Sequence, residues 1–91
     1  MITAFVLIAA DPDRVAELAA ELADVPDIAE VYSVTGDEDL IAIVRVREHD
    51  ALADVVTKHI ADLRGIRHTR TSIAFRAYSR HDIEAMFDLG T

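Results

Sequence analysis

Ile2-Thr-Ala-Phe-Val-Leu-Ile-Ala9 is the stretch that decides the fold. With the two-residue period of a β-strand, Ile2, Ala4, Val6 and Ile8 fall on one face and Thr3, Phe5, Leu7 and Ala9 on the other. Both faces are apolar, so both require cover. The run falls well short of the roughly 18 apolar residues of a membrane span. It also lacks the basic segment and small-residue cleavage site of a secretory leader. It reads as a buried strand of a cytoplasmic protein.

Working outward, Asp11-Pro12-Asp13 predicts a helix start, with Asp11 as N-cap and Pro12 at the first helical position. Val15, Leu18, Ala19 and Leu22 follow at helical spacing, and Pro26 marks the exit. Two β-branched runs, Ile28 to Thr35 and Leu40 to Val46, flank Gly36-Asp37-Glu38-Asp39 and predict a hairpin. A second helix opens at Glu48-His49-Asp50, buries a stripe of Leu52, Val55, Val56, His59, Ile60 and Leu63, and closes at Gly65. A last strand from Ile66 to Tyr78 puts Thr69, Thr71, Ile73, Phe75 and Ala77 on one face and His68, Arg70, Ser72, Ala74 and Arg76 on the other. The order β-α-β-β-α-β defines an α+β, ferredoxin-like sandwich over residues 1–79. Residues 80–91 form a helical tail, introduced by Ser79, whose stripe of Ile83, Met86 and Phe87 is too short to be stable alone and is expected to pack on a neighbouring subunit.

A chain of 91 residues buries only about 60–65% of its unfolded surface. With no cysteine, neither disulfides nor thiolate-bound metal supplement its core. Two helices cover one face of a four-stranded sheet, which leaves the other bare. Apolar burial stabilises by about 25 cal/mol per Å², so dimerisation through the sheet faces is the expected remedy. A formal charge of −8 and a pI near 4.7 disfavour direct binding to nucleic acid, which draws on phosphate neutralisation by Lys and Arg.

The hairpin loop Ser33-Val34-Thr35-Gly36-Asp37-Glu38-Asp39 combines hydroxyls, a glycine and three carboxylates. Glycine admits close backbone approach and a carboxylate pairs with an ammonium group. As residues alone these positions equally describe a solvated turn in which Gly36 supplies a positive φ. Thr69 and Thr71 present two hydroxyls one pleat apart, and are also ordinary strand residues. His49, His59, His68 and His81 show no recognised metal spacing, and the three acids lack the alternation of a calcium loop. No Gly-x-Ser-x-Gly elbow or phosphate-binding glycine loop occurs, so no metal, cofactor or catalytic residue is assigned.

Thr35-Gly36-x-x-Asp39 and Gly65-Ile66-x-x-Thr69-x-Thr71, in this order and spacing, resemble the effector-binding domain of the Lrp/AsnC family across nearly the whole chain. The resemblance implies a small-molecule sensor, commonly for amino acids, that dimerises through its sheets and assembles dimers into an octameric ring. Effectors in that family sit between dimers. On that basis Ser33, Val34, Gly36, Glu38, Asp39, Thr69 and Thr71 are the expected ligand contacts. The family's N-terminal helix-turn-helix is missing, and Glu38 stands where the family frequently has an aromatic residue. The implied protein is a stand-alone module that binds effector alone or co-assembles with full-length regulators. The alternatives are a small dimeric α+β-barrel enzyme, such as a cofactor-free monooxygenase, and an ACT-type amino-acid sensor.

Overall fold

In the computed structural model, which describes residues 1–80, the chain runs β1 (Ile2–Ala10), α1 (Val15–Ala23), β2 (Ile28–Ser33), β3 (Leu40–Val46), α2 (His49–Asp54) and β4 (Ile66–Ile73). The strands form one antiparallel sheet in the order β2-β3-β1-β4, the ferredoxin-like arrangement. The expected tail stripe of Ile83, Met86 and Phe87 lies outside the described residues.

The register of β1 resolves its two apolar faces. Ala4, Val6 and Ile8 stand opposite Val44, Ala42 and Leu40 of β3, and all six are fully buried beneath the helices. Leu18 and Leu22 of α1, Leu52 of α2 and, just beyond α2, Val55 and Ile60 close this core. Burial of such a side chain stabilises by about 1.5–3 kcal/mol. The odd-numbered face of β1 stays uncovered: Phe5 is 37% exposed and Leu7 only half-buried.

Three expectations are corrected. Asp11 occupies the cap position, but its side chain makes no capping bond and Pro12–Arg14 forms a 3-10 turn, so α1 proper starts at Val15. His59 is exposed rather than part of the buried stripe. The reason is that α2 continues as a π-helical segment (Val55–Ile60), whose i→i+5 bonding brings Val55 and Ile60 onto the core face and turns His59 outward. Finally, β4 ends at Ile73, not Tyr78. Ile73 pairs with Ala4, the Ala74 N–H donates to Thr3 O at 2.9 Å, and beyond that β1 has almost no residues left to serve as ladder partners. Phe75 is consequently fully exposed.

The junctions at the two helix ends lock together. The Asp11 N–H donates to Gly65 O at 2.8 Å, and the Arg14 guanidinium donates to Arg64 O from Nε at 3.3 Å and from Nη2 at 3.1 Å. Gly65 has φ +97°, and a Cβ there would lie 3.0–3.2 Å from Arg14 Cβ, Cγ and Nε. Gly65→Ala therefore meets both backbone strain and a side chain that is itself pinned. We expect a loss of about 1–3 kcal/mol in urea unfolding. An unchanged midpoint would show that Arg14 yields freely.

Candidate functional site

The β2–β3 connection folds across the end of β1 and is fastened there by Asp39. Its N–H donates to Ile8 O at 2.8 Å, its carbonyl accepts from Val34 N–H at 2.9 Å, and its Oδ2 accepts the Ala10 N–H at 2.8 Å. The last bond satisfies β1 at the irregularity between Ala9 and Ala10, where the β1–β4 register shifts. Asp39 is thus first a loop anchor. Gly36, at the exposed tip, has φ +118° and nothing within 4 Å of where a Cβ would stand, so its glycine requirement is conformational. No backbone acceptor within the described residues receives the N–H groups of Thr35, Gly36, Asp37 or Glu38.

Glu38 is the exception to a solvated acidic turn. At 7% exposure it is the buried charged residue of the described chain. Its Oε1 forms an ion pair with Nη2 of Arg70 on β4. Because β1 lies between β3 and β4, and Arg70 stands opposite Leu7, this pair bridges β1 over the open face of the sheet. Arg70 was not among the residues expected from sequence. The signal for it was strand parity, which put Arg70 on the opposite face from Thr69 and Thr71, together with an acidic loop in need of a cation.

The structure gathers Ser33, Val34, Gly36, Glu38 and Asp39 in one connection, but it does not bring Thr69 and Thr71 to them. Ser33, Leu40, Ile8 and Thr69 make one row across the four strands on the helix side. Three interstrand spacings of about 4.8 Å separate its ends by roughly 14 Å. Thr69 and Thr71 are both exposed, as is all of β4 after Ile66. Ser33 and Thr69 are thus too far apart for one small ligand within a single copy, whereas Glu38 of the same loop reaches Arg70, which lies between the two threonines in sequence.

The open face carries two rows, Glu30-Ile43-Phe5-Ser72 and Tyr32-Ile41-Leu7-Arg70. Their centre is a block of four large apolar side chains, and their margins are charged. The Tyr32 hydroxyl donates to Glu30, which also accepts from Arg45 Nη1 at 3.4 Å. The bond from Tyr32, then that from Arg45, holds the Glu30 carboxyl below its ordinary range, and the bond to Glu30 pushes the phenol of Tyr32 up. A cleft of about 390 Å³ lies toward the other end of β1 from the loop, among Met1, Thr3, Phe5, Arg45, Phe75 and Arg76. Among the described residues no three His, Asp or Glu side chains gather as a metal site. No described helix is long and apolar enough to cross a membrane.

A four-stranded antiparallel sheet with helices on one face, one bare apolar face and a clamped loop at the strand end is an α+β, ferredoxin-like domain. The Lrp/AsnC ligand binding domain model matches residues 3–83, and the chain belongs to that family. An HTH-type transcriptional regulator of Pyrococcus horikoshii, PH1916, is 34% identical over 76 residues, 80% of this chain and 51% of the relative. The chain spans about half the length of the curated relatives it matches. The crystal structure of TTHA0845 from Thermus thermophilus superposes with a TM-score of 0.83 at 52% identity, covering 88% of this chain and 100% of that one. The feast or famine regulatory protein Rv3291c from M. tuberculosis, complexed with L-methionine, gives a TM-score of 0.71 at 30% identity over 88% of this chain and 54% of that one.

Proposed function

We propose that this chain is an effector-sensing module for a small amino acid. The observation that carries the reading is the Ser33 to Asp39 loop, clamped to the end of β1 while Gly36 stays exposed in a left-handed conformation. A rigid loop with a backbone open to approach is a preorganised ligand contact. The L-methionine complex of Rv3291c supports an amino acid as the ligand class. Ser33, Val34, Gly36, Glu38 and Asp39 form one half of the pocket, and Thr69 and Thr71 of another copy form the second half.

The module works as a dimer through the open sheet face, with dimers assembling further. The apolar block of Phe5, Leu7, Ile41 and Ile43 supports this, because no described element covers it. The names of the curated relatives, HTH-type transcriptional regulators, support a role in transcription. The acidic balance of the chain favours reaching DNA through co-assembly with full-length regulators over direct contact.

Calorimetry of the full chain against each of the twenty common L-amino acids tests the reading. At least one should bind, and Gly36→Val should abolish that binding, since a β-branched residue cannot adopt the φ found at this tip. Asp39→Asn keeps an oxygen for the Ala10 N–H but removes the charge. It should weaken the ligand by about 1.5–3 kcal/mol, as loss of a charged hydrogen bond does. Binding indifferent to both changes would move the site elsewhere.

A further inference from the structure

We infer that Arg70 is the anchor for the ligand's carboxylate, with buried Glu38 as the residue that positions it. The inference rests on reading the Ser33 to Asp39 loop as an amino-acid site. Three observations support it.

The first is the asymmetry of the ion pair. The Glu38 side chain is 8% exposed and that of Arg70 is 64% exposed. A buried carboxylate left without a cation is strongly unfavourable, so Glu38 holds the guanidinium in place over β1. Nη2 of the guanidinium faces Glu38 Oε1, while the arginine side chain as a whole stays 64% exposed. The remaining donors of its planar fork lie at the exposed end and match the two oxygens of a carboxylate.

The second is how the loop carboxylates are spent. Glu38 is committed to Arg70, and one oxygen of Asp39 to the Ala10 N–H. The loop is therefore less negative toward a ligand than its three acids suggest. The third is the run of N–H groups from Thr35 to Glu38 with no backbone acceptor among the described residues. Consecutive amides of this kind favour an anion. A guanidinium tied to the loop through Glu38 and a run of loop amides without a backbone acceptor are both donors suited to a carboxylate, while the second oxygen of Asp39 is left for the amine. Arg70 thereby selects for α-amino acids over amines, amino alcohols and amides.

A double-mutant cycle between protein and ligand tests this. Since Arg70→Gln alone leaves Glu38 buried without its cation, the variant used is Arg70→Gln with Glu38→Gln, which keeps a neutral hydrogen-bonding pair. The probes are the tightest binder of the twenty common L-amino acids and its α-carboxamide, both titrated by calorimetry. In the unmodified chain the amino acid should bind about 10- to 100-fold more tightly than its carboxamide, and in the double variant the two should bind alike. Thermal melting checks that the variant is folded, and the acid-to-amide comparison in the unmodified chain stands without it. Equal binding of acid and amide to the unmodified chain overturns the inference. So does an acid preference that survives undiminished in the variant, and both results leave the amino-acid reading intact. If none of the twenty amino acids binds, the reading and the inference fall together.

Discussion

Ile43→Glu is expected to leave a folded monomer under conditions where the parent chain is a dimer. Ile43 stands opposite Phe5 on one side and Glu30 on the other, at the centre of the open face. In the isolated chain it is only half-buried, so the substitution costs the monomer about 1 kcal/mol, from lost packing and a like charge directly opposite. A two-fold interface repeats every contact, so face-to-face docking would bury two unpaired carboxylates. Each costs several kcal/mol, which weakens association by at least about 1,000-fold. Sedimentation velocity from micromolar upward reads the outcome. A dimer that persists in this variant at the parent's affinity would mean that the bare face is not the interface.

Ile8→Ala should cause the largest loss of stability among conservative truncations in β1. Ile8 is fully buried, lies between Leu40 and Thr69 in its row, and its carbonyl accepts the Asp39 N–H that fastens the loop. Truncating a core isoleucine costs about 2–5 kcal/mol, from lost transfer energy and the cavity left behind. For a domain of this size that lowers the melting temperature by on the order of 10–30 °C at fixed protein concentration. Because the cavity opens directly beneath the loop anchor, hydrogen exchange at the Asp39 amide should also accelerate. A loss below about 1 kcal/mol would show that the neighbouring side chains collapse into the space.

The element order and the family were legible from residue pattern alone. Two-residue alternation in Ile2 to Ala9, helical spacing in Val15 to Leu22, and the Thr35-Gly36-x-x-Asp39 loop are local signals, set by the periods of strand and helix and by the turn's need for a positive φ. Alternation also sorted Arg70 from Thr69 and Thr71. It did not say which apolar face of β1 would be buried, because both carry large side chains. The pairing of β1 with β3, which sets Val6 opposite Ala42 under the helices, decided that. The length of β4 was likewise set by its partner, since a strand ends where the neighbouring backbone stops offering hydrogen bonds. In the second helix the burial of Val55 and Ile60 was legible, but the π bonding over Val55–Ile60 that turns His59 outward was not.

What the sequence by itself determined is therefore the set of elements, the α+β class and the location of the candidate loop. What only the tertiary structure decided is how that loop is wired. Asp39 is committed to Ala10, 29 residues away in the chain, and Glu38 is committed to Arg70 across an intervening strand. Strand order alone makes those pairs neighbours, and burial alone turns Glu38 from a solvated turn residue into a charge that has to be matched.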